Sequence, residues 1–274
     1  MSTPALILSL VLWTSPATEG GSPYEVDPVL DGTATAAAFV FSAVLAGLVK
    51  PTLPASRNCD LDPATGLCDA ESLNALDRGV VGMKSAQWRL VSDVSAWFTY
   101  AAPIGLGALD YFHLSEGGTW GDLGADLLVT AQAVGLTVLV TDLFKFAVGR
   151  PRPTQYTEGV FSGSSEHSMG FPSGHTSSTA AAAFATATTF ALRHPESPWR
   201  YGVYAAGTAL TGLTAWARVG GGMHFYSDVL AGAALGAAMG VVVPRLHRRM
   251  EGVALAVTPG HGGGAPQVSL SFRY

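Results

Sequence analysis

Three short stretches hold most of the side chains able to do chemistry in this 274-residue chain. They are Lys145-Phe-Ala-Val-Gly-Arg-Pro-Arg152-Pro153, Pro172-Ser173-Gly174-His175, and Arg218-Val-Gly-Gly-Gly-Met-His224-Phe-Tyr-Ser-Asp228. Lys145, Arg152 and Arg218 can neutralise the oxygens of a phosphate, and the arginine forks can do so through paired hydrogen bonds. Ser173 and Gly174 stand where a helix opens, so backbone N–H groups and the helix dipole face an anion there. Gly174 also removes a side chain that would block close approach. His224 and Asp228 are four residues apart, on one face of a helix if a helix starts there, and the carboxylate could then hold the imidazole in one tautomer. That pattern suits His224 as a nucleophile. His175 is the second imidazole, placed to protonate a departing oxygen. Together these residue types point to phosphoryl transfer.

Each stretch alone has a plainer explanation. Pro-Ser-Gly-His reads as a helix N-cap after a turn. Lys145 could snorkel at a membrane edge, Arg218 could cap a helix C-terminus, and His224 with Asp228 could be a surface pair. The combination argues otherwise. In an up-down bundle the end of a third segment meets the start of a fourth, and the end of a fifth meets the start of a sixth. All three stretches then converge on one end.

The set K-x6-RP, PSGH and R-x5-H-x3-D resembles the type 2 phosphatidic acid phosphatase (PAP2) and vanadium haloperoxidase superfamily, over about residues 93 to 245. The resemblance implies an all-α, six-helix PAP2-type bundle, a phosphohistidine intermediate and, in the phosphatases, no metal or other cofactor. By the same resemblance Lys145, Arg152, Ser173, Gly174 and Arg218 are the phosphate ligands, His175 the general acid, His224 the nucleophile and Asp228 its partner. The family usually has Ser before the third-motif arginine, and this chain has Ala217. One lost hydrogen bond is worth about 1 kcal/mol, which bears on rate or substrate fit more than on reaction type. Arg150 forms a second Arg-Pro pair, but only Arg152 stands at the family's spacing from Lys145.

The elements that must position these residues are apolar. Only 13% of the chain is charged, against about 25% in an average soluble domain. Mean hydropathy is +0.31. Six apolar segments run over about 32–49, 95–109, 127–141, 176–192, 201–217 and 229–244. None alternates as a strand would, and all are rich in Ala, Leu and Val, so they read as helices. The last carries Gly232, Gly236 and Gly240, a smooth ridge against which another helix can lie. Segment 176–192, rich in Ala and Thr, is a poor membrane inserter alone. Two architectures fit: a membrane bundle, or a soluble bundle with unusually apolar helices. Segment length and charge depletion favour the membrane. A further helix is expected near 69–92 with Asp69 as its N-cap. After Met250, alternation at 253–257 and 268–272 predicts a short β-hairpin tail.

The remaining features bound the organisation. Met1 to Ala17 resembles a secretory signal peptide, although it has no Lys or Arg at its start. The expected division is 1–17 signal, 18–92 N-terminal extension with the first helix, 93–250 catalytic core, and 251–274 Gly-rich tail. Cys59 and Cys68 flank a turn-rich loop and are expected to pair in an oxidising compartment. The acidic residues of that loop lack calcium-loop spacing. Net charge is −5, so no nucleic-acid footprint is indicated. The expected substrate is a lipid phosphate or an isoprenyl pyrophosphate at a bacterial-type cell membrane. Two alternatives stand beside it: a soluble periplasmic acid phosphatase and a vanadate-dependent haloperoxidase. An oxidised cysteine loop places the catalytic face outside the cytoplasm. The basic run Arg245-Leu-His-Arg-Arg249 then lies on the cytoplasmic side, as the positive-inside pattern asks, whereas a cleaved signal would invert six spans.

Overall fold

The computed structural model describes residues 23–52, 58–59, 61–111, 119–157 and 169–248, and the backbone alone of 252–258 and 267–273. The signal-like segment 1–17 lies outside these. Six long helices and one short one make up the described chain: α1 (Pro28–Val44), α2 (Ala75–Arg78), α3 (Ala86–Leu109), α4 (Trp120–Val148), α5 (Gly174–Arg193), α6 (Trp199–Gly220) and α7 (Tyr226–Leu246). Strands β1 (Gly252–Thr258) and β2 (Gln267–Arg273) pair antiparallel beyond them.

Helix boundaries follow local chemistry. Asp27 caps α1, Ser85 caps α3, and Thr119 with Asp122 forms a capping box at α4. Gly149 ends α4 in the left-handed conformation, at φ 58°. The stretch 69–92 is not one helix. Asp69 caps only a 3₁₀ turn at Ala70–Ser72, α2 is four residues long, and Gly82 takes φ 88° before α3 begins. A left-handed residue cannot continue a helix, so the predicted helix gives way to irregular chain and a longer α3.

Helix α5 is the centre of the bundle, touching α3, α4, α6 and α7, while α1 packs on α4. Its Ala and Thr content suits that place. Small side chains let neighbours approach, and several buried hydroxyls are satisfied within the helix, as Thr186 and Thr188 donate to the carbonyls of Ala182 and Phe184 at 2.7 Å, whereas the Thr179 hydroxyl is buried with no hydrogen-bond partner among the described residues. Hydroxyl pairs also tie helices together: Thr141 to Ser177 at 2.9 Å, Tyr100 to Ser178 at 2.6 Å and Ser95 to Thr214 at 2.8 Å. The glycine ridge of α7 lies on α5 so closely that a Cβ on Gly236 would stand 1.9 Å from the Ser177 carbonyl oxygen.

The outer surface is apolar. Phe39, Phe41, Trp97, Phe98, Ile104 and Leu230 all face outward. Three stretches, Pro28–Thr52, Trp120–Tyr156 and Tyr226–Leu246, are long and apolar enough to cross a membrane. A polar, small-residue centre with an apolar exterior is the distribution a bilayer requires.

Candidate active site

The end of α4, the start of α5 and the α6–α7 turn meet at one end of the bundle. Lys145 lies in the last turn of α4. Its Nζ is 3.6 Å from the Asp142 carboxylate, and it stands over the first residue of α5, where a Cβ on Gly174 would be 2.9 Å away. Arg152 follows α4 in extended backbone and leads into a 3₁₀ turn, Pro153–Tyr156. Ser173 is fully buried at the α5 N-cap. Its N–H donates to the Asp228 carbonyl at 3.0 Å, and its hydroxyl accepts from Thr176 at 3.1 Å. The peptide bond between Phe171 and Pro172 is cis.

His224 sits in the α6–α7 turn, 3% exposed. Its Nδ1 is 2.8 Å from the carbonyl oxygen of Gly170. A carbonyl can only accept, so Nδ1 carries the proton and Nε2 keeps its lone pair. The sequence reading gave that orienting role to Asp228. The Asp228 carboxylate is 3.7 Å from Nδ1, too far for a hydrogen bond. It is engaged elsewhere: one oxygen accepts from the Phe225 N–H at 2.9 Å, capping α7, and the other meets Arg150 at 2.6 Å. Burial, and then the charges of Arg152, Lys145 and Arg218, hold the His224 imidazole well below its ordinary pKa of 6.5. The three cations chosen from sequence therefore all lie within electrostatic reach of this one ring.

His175, in the first turn of α5, is half-exposed at the mouth of the site. Its Nε2 is 3.3 Å from the carboxylate of Asp93, which also takes Arg218 at 3.3 Å. The Arg218 Nε is buried and has no hydrogen-bond partner among the described residues. Asp93 is a single acid within α3 and belongs to none of the motifs. Its only sequence signal was a charge beside an apolar helical segment.

The N-terminal extension completes this end. Cys59 and Cys68 are bonded, with Cα atoms 5.7 Å apart. Cys68 N–H donates to the Gln155 carbonyl at 3.1 Å, just after Arg152 and Pro153. Cys68, Leu73 and Val80 share a buried cluster with Tyr156, Val219, Phe225 and Val229. Gly222 passes so close to this extension that a Cβ there would meet the Met83 carbonyl oxygen at 1.9 Å, and it holds φ 68°. Only glycine fits both demands.

Residues 126–251 match the model of the PAP2 superfamily. The chain is 31% identical over 153 residues to a lipid A 1-phosphatase of Porphyromonas gingivalis, covering 55% of this chain and 29% of that protein. It is 42% identical over 121 residues to a lipid A 1-phosphatase of Rhizobium johnstonii, covering 42% of this chain and 44% of that protein. The chain thus matches less than half the length of either relative. Among solved structures, a transmembrane PAP2 type phosphatidylglycerolphosphate phosphatase from Bacillus subtilis aligns at 23% identity and a TM-score of 0.46, covering 77% of this chain and 94% of that one. Lys145, Arg152, Ser173, Gly174, His175, Arg218, His224 and Asp228 all fall within 126–251, the stretch of this chain that matches the PAP2 superfamily model.

Proposed function

We propose that this protein is a membrane phosphatase that removes phosphate from a lipid-linked phosphoester through a phosphohistidine formed on His224. The observation that carries the reading is the Nδ1 contact of His224 with the Gly170 carbonyl, which leaves Nε2 unprotonated in a pocket of three cations. Nε2 attacks phosphorus, an N–P bond forms, and the P–O bond to the lipid breaks. His175 gives its proton to the leaving oxygen. It then takes a proton from water, which attacks phosphorus and breaks the N–P bond, releasing phosphate. Lys145, Arg152 and Arg218 stabilise the charge on the phosphoryl oxygens at each step. The buried Arg218 Nε is a donor suited to one of those oxygens. No step uses a metal.

The substrate class follows from where the site lies. It opens at the end of apolar spans, within reach of a headgroup phosphate at the bilayer surface. The two curated relatives are named for lipid A 1-phosphate, so a phosphorylated glycolipid heads the substrates, with phosphatidic acid and isoprenyl pyrophosphate beside it. The disulfide packed over the same end supports a catalytic face outside the cytoplasm.

The test uses the full chain purified in detergent. Phosphate release from these three lipids is measured with EDTA present, and the reaction is quenched after a brief turnover of ³²P-labelled substrate. The reading expects an acid-labile, alkali-stable label on the protein that is lost in His224→Gln. Full activity in His224→Gln, or activity abolished by EDTA and restored by a metal, overturns the mechanism.

A further inference from the structure

We infer that Arg150 and Asp77 form a positioning pair that holds the chain after His224 in place, and so aims the nucleophile, although Arg150 fills only a variable position of the first motif and Asp77 lies outside all three. The inference deepens the proposed reading and rests on His224 as nucleophile.

The geometry is specific. The Arg150 guanidinium lies between two fully buried carboxylates, with one nitrogen 2.7 Å from Asp77 and the other 2.6 Å from Asp228. It stacks over the Phe225 ring at 4.7 Å and donates to the Ser227 hydroxyl at 2.5 Å. Asp77 accepts from the Ser227 N–H at 3.1 Å, from its hydroxyl at 2.5 Å, and from Asn74 at 2.8 Å. Residues 225, 227 and 228 are thus fixed at backbone or side chain by this one pair. They are three of the first four residues after His224.

Energetics make the arrangement consequential. One guanidinium balances two buried acids, so removing it leaves two like charges facing each other without water. Removing Asp77 frees Arg150 to lean wholly on Asp228 and releases the Ser227 backbone. Either change moves the α7 N-terminus, and with it the imidazole that precedes it. A misplacement near 1 Å can cost about 10²-fold in rate. Asp77 comes from α2, in the extension ahead of the matched 126–251, so the extension supplies part of the site's geometry.

The experiment compares Asp77→Asn, Arg150→Gln, the double variant and Arg150→Lys, each as the full chain in detergent. Turnover of a lipid phosphate gives kcat and KM, and thermal unfolding reports the fold. The expected result is a kcat lowered roughly 10- to 100-fold in each single variant with KM within about threefold. The double variant should be no worse than the poorer single one, because both act through one geometry. Arg150→Lys should recover part of the loss, since an ammonium keeps the charge but cannot bridge both acids. Unchanged kcat, or losses that add and track the melting temperature, overturns the inference. If the charged variants fail to fold, Ser227→Ala serves: a several-fold fall in kcat supports the pair, and wild-type kcat overturns it. A second arm needs no turnover. In ¹⁵N-histidine-labelled protein, the His224 ring signals should shift in Asp77→Asn, and unshifted signals refute the role. If the unaltered protein hydrolyses no phosphoester, the functional reading fails while this arm still decides the pair.

Discussion

A methyl group on Gly174 would stand 2.9 Å from the ammonium of Lys145. The first residue of α5 is therefore a glycine so that the lysine at the end of α4 can lie across the helix N-terminus, where an anion would also sit. Gly174→Ala should push the lysine aside. The obstructing atom is the tip of a flexible side chain, so the fold should survive with little change in melting temperature. Phosphate affinity should fall, seen as a KM raised about tenfold or more, since a charge-assisted contact is worth roughly 1.5–3 kcal/mol.

His224→Gln should lower kcat by about 10⁴-fold or more, the scale expected when a nucleophile is lost. Asp228→Asn should cost less in catalysis and more in stability. Its carboxylate caps α7 and meets Arg150 instead of the imidazole. Paired kinetics and thermal unfolding of the two variants check this, and the reverse ranking would refute it.

The pH dependence has a definite sign. His224 attacks only as the neutral imidazole, and its pKa is depressed first by burial and then by Arg152, Lys145 and Arg218. The share of nucleophile in its active form therefore stays high until pH falls well below 6.5, and the acid limb of kcat/KM should lie there. Arg152→Ala removes the largest charge acting on the ring. Its pKa should rise toward 6.5, and the acid limb of the residual activity should move upward. A pH profile of both proteins reads the shift directly, and an acid limb that stays put would remove Arg152 from the ring's neighbourhood.

Breaking the Cys59–Cys68 bond should cost stability before it costs chemistry. Closing so short a loop contributes about 2–3 kcal/mol by chain entropy. Cys59→Ser with Cys68→Ser should lower the melting temperature, and activity at low temperature should fall only as the extension loosens from Gln155 and Phe225. Unfolding curves with and without reductant test it.

Gly236→Val should be the most damaging single change away from the site. The new side chain meets the Ser177 backbone carbonyl, which has no flexible end to yield. Overpacking of this kind costs about 1–3 kcal/mol or more, and here it would part α7 from α5. The yield of monodisperse protein in detergent is the measure.

Much of this arrangement could be read from the chain because each motif is contiguous and lies at a helix end. Lys145 and Arg152 keep their spacing whatever surrounds them, and the fall from apolar to polar residues marks where α4, α6 and α7 stop or start. What sequence could not show were contacts made only by tertiary packing. Gly170, the true partner of the His224 ring, offers a backbone carbonyl that any residue would possess. Asp77 and Asp93 are isolated acids 68 and 52 residues ahead of Lys145 in number and join no pattern until α2 and α3 fold over the α6–α7 turn. The break at Gly82 hid α3's true start, because a glycine's φ is set by the packing around it.

The route taken by residues 61–93 has a practical meaning for anyone trimming this protein. A fragment cut to 126–251 would keep every signature residue on paper. It would lose the acid that bridges His175 to Arg218 and the acid that steadies Arg150, together with the oxidised loop that roofs them. Such a fragment would own the right letters but no working pocket.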